Sequence, residues 1–309
     1  MSDSVEEKLL KTPLLGSLIR CAKRIILPGF EGLSFFDLME TYISGIAKGT
    51  FTSRASGVAY SFFMAIFPFI LFVLNLIPYI KIDNFQQEFL LLIEELLPAQ
   101  TAAFFYPILL DIAANPRGSL LSFTLILSIF LMSNGVNAIF NAFEYCYHVQ
   151  KKRSLLRQYL IALSVSVFLS LMLLIFVIIL IAGQYIIYQL NQEGMNLNDI
   201  VWIAILRYLL FLVLIYIIIA TLYYFGTKES KKSSFFSIGA FLTTLFFMLT
   251  TYFFTIYIDN FSNYNELYGS IGALLIMMLY IWINSNLLLL GFELNATIYK
   301  LKSNFKISS

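Results

Sequence analysis

Long apolar runs recur six times along the chain and dominate its pattern of hydrophobic and polar positions. They cover roughly 57–80, 119–142, 159–184, 201–225, 235–257 and 269–293. Each run supplies the ~20 residues that a helix needs to cross a bilayer core of ~30 Å. None shows the strict alternation of a strand. The pattern therefore predicts an all-α, polytopic membrane protein with six transmembrane helices.

Composition supports a chain that uses lipid as its solvent. The 309 residues are 60% hydrophobic and only 12% charged, whereas soluble domains are about half apolar and a quarter charged. We therefore expect a single membrane domain over 1–309. Its expected parts are a cytoplasmic amphipathic N-terminal region at 1–56, a six-helix bundle at 57–293 with an external helical loop at 81–118, and a basic cytoplasmic tail at 294–309.

Basic residues are distributed unevenly between the connections of the predicted helices. Seventeen of the twenty Lys and Arg residues lie before the first run, between the second and third, between the fourth and fifth, or after the sixth. The other set of connections holds only Lys81 and Arg117. Cytoplasmic loops carry an excess of Lys and Arg. The asymmetry therefore predicts that both termini are cytoplasmic.

The N-terminal region and the two cysteines add two smaller expectations. Segments at 14–26 and 35–51 are amphipathic. We interpret them as helices in the cytoplasmic headgroup layer, or as helices packed under the bundle. Cys21 and Cys146 are too few for a disulfide scaffold, and both fall on the predicted cytoplasmic side, so we expect free thiols.

Polar side chains interrupt the second run in a regular way. Asn134, Asn137, Asn141 and Glu144 fall within an arc of about 80° on a helix. This stripe occupies the predicted inner half of the membrane. A polar stripe that faced lipid would be costly, so we expect it to face other helices or water. It forms either ordinary hydrogen bonds between helices or one wall of a cavity open to the cytoplasm.

The sixth run repeats this arrangement at a similar depth. Asn284 and Asn286 lie level with Asn134, and Glu293 follows about two turns later at the inner end. We therefore predict a polar pathway lined by the second and sixth spans. Its candidate residues are Asn134, Asn137, Asn141, Glu144, Asn284 and Asn286.

Charged residues at the predicted helix ends suggest an ion-pair cluster. Arg54, Glu144 and Glu293 come to the same cytoplasmic level on three different spans. An unpaired charge at a packed helix end is expensive, so we predict that Arg54 pairs with one or both carboxylates. The pair would act as a gate or as a staple. Arg207 is predicted to be a buried charge near the outer end of the fourth span.

Three stretches resemble the YihY/virulence factor BrkB family of bacterial integral membrane proteins. The family has a small-residue entry with an Ala-Tyr pair, a segment with a basic exit, and a pattern of Tyr-Gly-Ser-x-Gly followed by Leu-Gly-x-Glu-Leu-Asn-Ala. The matching stretches are "SRASGVAYSFFMAIFPFILFVL", "SNGVNAIFNAFEYCYHVQKKRS" and "YGSIGALLIMMLYIWINSNLLLLGFELNA". This chain has Phe292 where the family usually has Ala. The resemblance implies a multi-pass protein of the bacterial inner membrane, in a family associated with ribonuclease activity, virulence and transport, including transport of lipids.

These observations favour a transporter-like protein that handles lipid or another envelope-related substrate. The alternative is a non-transporting scaffold for envelope assembly. A membrane-bound hydrolase is less favoured, because a nuclease needs grouped metal ligands or a general base and the chain has one histidine, His148. We predict no enzyme activity, no cofactor or metal site and no nucleic-acid partner. The expected partners are the bilayer and a lipid or small-molecule substrate.

Overall fold

Helices are the long regular elements of the part of the chain that the structure, a computed structural model, describes. The described residues are 34, 36, 51–76, 106–107, 110, 118–146, 149, 152–192, 200–230, 234–260 and 270–308. Six helices lie within them: α1 (Phe51–Leu76), α2 (Gly118–Glu144), α3 (Leu155–Gln192), α4 (Ile200–Gly226), α5 (Ile238–Asn260) and α6 (Ser270–Ser308). The predicted all-α class is confirmed, and each apolar run coincides largely with one helix.

Two of the helices are much longer than the runs that predicted them. α3 has 38 residues and α6 has 39, so at ~1.5 Å per residue each is nearly twice as long as a bilayer core of ~30 Å. α6 continues to Ser308, through the segment that the sequence analysis assigned to a basic tail. These helices therefore extend past the apolar layer that their hydropathy marks.

A serine residue directly precedes two of the helices and caps their N-terminal ends. The carbonyl of Ser154 accepts a hydrogen bond from the Gln158 backbone N–H at 3.0 Å at the start of α3. At the start of α5, Ser237 Oγ accepts one from the Ala240 backbone N–H at 3.3 Å. Such bonds satisfy N–H and carbonyl groups that a helix end would otherwise leave open.

The six helices form a closed ring. Each helix packs on its neighbours along the chain, and α6 returns to pack on α1. The contact between α1 and α2 is the most extensive, and α2 also touches α4 and α6 across the ring. α2 is therefore the helix through which the inner part of the bundle is assembled.

Apolar side chains cover much of the outer surface, as expected for a bundle in lipid. On α3, Phe168, Leu171 and Ile175 are each more than half exposed. In the described part, five helices are long and apolar enough to cross a membrane, at Leu125–Glu144, Leu155–Leu180, Tyr208–Gly226, Ile238–Tyr257 and Leu274–Lys300. α1 is outside this set, and its side chains are described only for 51–66. The count of six spans therefore stays a prediction.

Small residues in α1 form the interface with its neighbours on one face only. Ala55, Val58 and Ala59 are almost completely buried. Two sets of small residues in this segment repeat every four positions, Ala55 with Ala59 and Ser53 with Gly57 and Ser61. Gly57 is exposed, and a Cβ added to it would meet no atom within 4 Å. The close contact is therefore built on the alanines.

Several expectations fall on other parts of the chain. The amphipathic segments at 14–26 and 35–51 lie almost wholly outside the described residues, as does the external loop at 81–118. Cys21, His148 and the side chain of Arg207 also lie outside them, although the backbone of Arg207 belongs to α4. These expectations remain predictions.

Candidate functional site

An aromatic cluster near the C-terminal ends of α2 and α4 joins these two helices to α6. Phe143 and Phe292 stack with ring centroids 3.9 Å apart, and the Tyr223 ring meets each of them edge-on at 5.6 Å. All three side chains are almost completely buried. Phe292 thus contributes a full ring to this core.

A glycine lets α6 approach α4 and α5 closely beside the aromatic cluster. The hydroxyl of Tyr223 donates to the Leu288 carbonyl at 2.7 Å and shares a hydrogen bond with Thr243 Oγ1 at 2.8 Å. A Cβ added to Gly291 would overlap Thr243 Oγ1 and meet the Tyr223 hydroxyl. Only glycine therefore fits here without displacing these buried hydrogen bonds.

Asn295 ties α6 to the beginning of α5. Its Oδ1 accepts a hydrogen bond from the Gly239 backbone N–H at 2.9 Å, and its Nδ2 donates to Ser237 Oγ at 2.7 Å. The side chain therefore satisfies a helix-terminal N–H from a neighbouring helix. Gly291, Phe292 and Asn295 of the stretch "GFELNA" thus each make a packing or hydrogen-bond contact with a neighbouring helix.

The polar stripe of α2 meets α3. Gln158, only 2% exposed, donates from Nε2 to Asn137 Oδ1 at 3.0 Å and to Asn141 Oδ1 at 2.7 Å. Further along the same interface, the hydroxyls of Ser133 and Ser166 share a hydrogen bond at 2.9 Å. We call these five residues the polar seam. The stripe was expected to face other helices or water, and these hydrogen bonds place Asn137 and Asn141 against α3.

The amides of α6 bond within their own helix. Asn284 Nδ2 donates to the Tyr280 carbonyl at 2.9 Å, and Asn286 Nδ2 donates to the Trp282 carbonyl at 2.7 Å. The Trp282 indole N–H reaches α1, where it donates to Ser56 Oγ at 3.2 Å. Asn134 on α2 is half-buried.

Arg54 of α1 binds the C-terminal end of α2. Its Nη1 donates to the Ala142 carbonyl at 2.8 Å and to Cys146 Sγ at 3.3 Å. Glu293, 1% exposed, acts on the same thiol from α6. Burial raises the pKa of the Cys146 thiol above its usual range, the negative charge of Glu293 raises it further, and Arg54 opposes them. Direct pairing of Arg54 with Glu293 stays a prediction.

Glu144 is engaged by the loop that leads into α3. Its Oε1 accepts a hydrogen bond from the Arg153 backbone N–H at 3.1 Å. The Arg153 guanidinium donates to the Phe225 carbonyl at 2.7 Å, at the C-terminal end of α4, where a cation is favoured by the helix dipole. Desolvation lowers the pKa of Arg153, Glu144 raises it, and the nearby charge of Arg157 lowers it. Arg153 thus connects α2 to α4.

Two adjoining cavities lie on the other side of α3. The larger, of about 600 Å³, is an apolar groove between α3 and α4. The smaller, of about 140 Å³, is lined by Lys152, Arg153, Ser154, Arg157, Ile161 and Lys228. Arg157 and Ile161 line both cavities. We call the first the α3/α4 groove and the second the basic pocket.

A third cavity, of about 30 Å³, lies between the end of α4 and α6. The predicted pathway residues Asn134, Asn137, Asn141, Glu144, Asn284 and Asn286 line none of these three cavities. Among the residues that the structure describes, no group of three or more His, Cys, Asp or Glu side chains is placed to hold a metal ion.

Two residues important to this region were missed by the sequence reasoning. Gln158 and Arg153 were counted with the polar connection between the second and third runs. The sequence did contain a signal that Gln158 is helical. Ser154 is a typical N-cap residue, and Gln158 lies four residues after it, at the beginning of the helix. Its orientation toward Asn137 and Asn141 depends on how α3 is rotated, which hydropathy does not report.

Comparison with known proteins decides the family. A family model described as "Virulence factor BrkB" matches residues 43–308. The chain belongs to this family. The resemblance inferred from the three sequence stretches is thereby confirmed, and the family together with the apolar helices identifies an integral membrane protein.

A curated relative has a name that refers to an activity. The chain is 28% identical over 253 residues to the "Putative ribonuclease-like protein YfkH" of Bacillus subtilis (strain 168). The match covers 81% of this chain and 90% of that protein. No solved structure matches.

Proposed function

We propose that this family member is a transporter-like membrane protein that moves a lipid or another amphipathic, envelope-related substrate. The observation that carries the proposal is the polar seam between α2 and α3. Polar residues inside membrane spans are expensive and commonly mark substrate pathways. The seam concentrates amides and hydroxyls on two facing helices of a bundle whose outer surface is apolar.

The seam is suited to opening and closing. Its hydrogen bonds join side chains across the interface, and such bonds in membrane bundles contribute on average only ~0.6 kcal/mol each. Separating α2 from α3 would present a polar strip from Ser133 to Asn141, about 12 Å long at 1.5 Å per residue. A headgroup could follow this strip while its chains stay in lipid. The described arrangement is the closed state of that cycle.

This proposal places the pathway between α2 and α3, whereas the sequence analysis placed it between the second and sixth spans. Arg54, Cys146 and Glu293 then lie at the inner end of α2, where a change in their contacts would release that helix. The cluster is the proposed control point of the seam.

We further propose an inner-membrane location with six spans and both termini in the cytoplasm. The distribution of Lys and Arg supports it. Single cysteines at Glu193 and Ser262 should react with an impermeant thiol reagent from outside, whereas a cysteine at Ser230 should not. External labelling at Ser230 would overturn this topology.

Transport is favoured over hydrolysis by the chemistry of the polar groups. The seam consists of amides and hydroxyls that bond to one another, and none of these groups ionises near neutral pH. The relative's name refers to a ribonuclease, so an RNA degradation assay with the purified chain tests the proposed absence of enzyme activity. Metal-dependent degradation that is lost in a site-directed variant would contradict it.

A disulfide across the seam tests the transport proposal. Ser133→Cys with Ser166→Cys, in a Cys21→Ser background that keeps the buried Cys146, replaces two hydroxyls 2.9 Å apart with thiols of similar shape. The readout is translocation of a fluorescent phospholipid in proteoliposomes, followed by quenching from outside. We expect transport in the reduced protein, loss on oxidation and recovery on reduction. Each single-cysteine variant is the matched control.

The other outcomes separate the alternatives. Undiminished transport by the oxidised double variant would contradict the seam as the pathway. Translocation no faster than in protein-free liposomes, by wild-type protein that remains folded, would contradict transport of phospholipid. That result would favour the scaffold for envelope assembly.

A further inference from the structure

The α3/α4 groove has the size and lining of a site for a hydrocarbon chain. Its volume of about 600 Å³ lies within the ~300–1,000 Å³ range of small-molecule sites. Leu160 and Phe168 of α3 and Ile217 of α4 line it, with Ser164 and Thr221 as the polar groups between them. Leu160 and Phe168 are each more than half exposed, so the groove is open to the surrounding lipid.

The basic pocket closes one end of this groove with positive charge. Lys152, Arg157 and Lys228 line it, and all three are exposed. Arg157 also lines the groove, so a molecule in the groove would reach the pocket without leaving the protein surface. The pocket thus offers cations where the apolar groove ends.

The cations come from two separate segments of chain. Lys152 and Arg157 flank the start of α3, while Lys228 lies in the turn after α4. The N-terminus of α3 itself contributes Ser154 to the lining, and helix N-termini favour anions. A general excess of cytoplasmic charge would not require these groups to converge on one cavity.

Arg153 also lines the basic pocket, but its side chain binds the backbone of α4. Its guanidinium donates to the carbonyls of Phe225 and Gly226 at 2.7 and 3.5 Å, so it fixes the end of α4, where Phe225 lines the α3/α4 groove. Arg157 lies close enough for its charge to lower the pKa of Arg153. Concentrated positive charge of this kind is stabilised when an anion enters.

We propose that the α3/α4 groove and the basic pocket form a binding site for one anionic glycerophospholipid of the cytoplasmic leaflet. An acyl chain lies along the groove, and the phosphate group is held by Arg157, Lys228 and Lys152. Basic pockets between transmembrane helices on the cytoplasmic side are suited to anionic headgroups. The site lies across α3 from the polar seam, and binding there does not require transport.

Lipid binding to the full-length protein tests the site. Native mass spectrometry of the chain in detergent measures retention of palmitoyl-oleoyl phosphatidylglycerol and of the matched phosphatidylcholine. We expect phosphatidylglycerol to bind at least tenfold more tightly. Since each cation near a headgroup contributes about a fivefold change in affinity, Arg157→Gln with Lys228→Gln should weaken phosphatidylglycerol at least tenfold. Phosphatidylcholine should weaken much less, because its choline cation offsets the charge of its phosphate.

Matched controls test three points separately: the position of the cations, the role of the apolar groove, and whether the ligand is a lipid or a free phosphate. Lys300→Gln and Lys302→Gln together remove the same charge from α6 and should leave binding unchanged. Ser164→Trp should weaken both lipids by filling the groove, whereas Leu171→Trp, on the same helix but outside the lining, should not. Glycerol phosphate should fail to displace phosphatidylglycerol, because it lacks the acyl chain.

Three results would overturn the proposal. The first is equal affinity for the two lipids. The second is an Arg157/Lys228 double variant that binds lipid as well as the Lys300/Lys302 variant does. The third is full displacement of the lipid by glycerol phosphate, which would make the pocket a site for free phosphate. If the double variant does not purify as a folded protein, Lys228→Gln alone, in an exposed turn, gives the same decision with an expected fivefold loss.

Discussion

Two neighbouring residues of α3 belong to opposite kinds of surface. Gln158 is 2% exposed and donates hydrogen bonds to two asparagines of α2. Arg157 is exposed and lines both the α3/α4 groove and the basic pocket. Adjacent residues on a helix point about 100° apart. One helix therefore forms a closed polar interface on one side and an open, cationic groove on the other.

The difference shows why polar residues in this bundle cannot be treated as one class. Buried amides bond to each other and hold α2 on α3, so their removal should change stability. Arg157 and Lys228 are exposed beside an apolar groove, so their removal should change ligand binding more than stability. The predictions below first disturb buried contacts elsewhere in the bundle, and the last one compares the two sides of α3 directly.

The largest effect is expected at Gly291 of α6, where α4 and α5 pack closely. Gly291→Ala places a methyl group on Thr243 Oγ1 and against the Tyr223 hydroxyl, and overpacking of this kind typically costs ~1–3 kcal/mol or more. We expect a strong fall in thermal stability, or failure to recover folded protein. Gly57→Ala is the control, because open space surrounds it. An unchanged unfolding temperature for Gly291→Ala would contradict the close packing of α4, α5 and α6.

A smaller effect is expected from the predicted pairing of Arg54 and Glu293. In a double-mutant cycle with Arg54→Gln and Glu293→Gln, we expect a coupling energy of about 1–2 kcal/mol in unfolding, as for groups in one network. Coupling in both stability and transport would identify a gate, and coupling in stability alone a staple. Strictly additive effects on both would show that the two side chains do not interact.

Reactivity of Cys146 gives a local readout of the same cluster, with little effect on stability. Because burial and Glu293 raise its pKa, little thiolate is present at pH 8, and we expect slow alkylation in a Cys21→Ser background. Glu293→Gln lowers the pKa and should speed alkylation several-fold. Arg54→Gln raises the pKa and should slow it. Faster alkylation in both variants would mean that the site has opened.

Sequence alone was sufficient for the helices but not for their contacts. Apolar runs located all six, because burial in lipid demands long stretches of hydrophobic residues. The extension of α6 to Ser308 was missed, because Lys300, Lys302 and Lys306 lower hydropathy without disfavouring a helix. Which of two spacing-of-four patterns in α1 faces inward was likewise undecided, since Gly57 and Ala55 both suit close packing.

The sequence identified several residues of the candidate site, but it predicted only part of their arrangement in space. Periodicity placed Asn137 and Asn141 on one face of α2, because a helix repeats every 3.6 residues. Their partner Gln158 could not be inferred, since it depends on the rotation of α3. The groove and basic pocket were also beyond reach, because Arg157 and Lys228 come together only through the packing of α3 against α4.

The most direct test of the account compares Gln158→Leu with Arg157→Leu in one experiment that records both unfolding temperature and bound phosphatidylglycerol. Gln158→Leu leaves two amide acceptors without their donor, which costs about 1–3 kcal/mol, so the account predicts a lower unfolding temperature with lipid retained by the folded fraction. Arg157→Leu should keep the unfolding temperature and lose most of the bound lipid. Equal behaviour of the two variants, or the reverse assignment, would contradict the division of α3 into a closed and an open side.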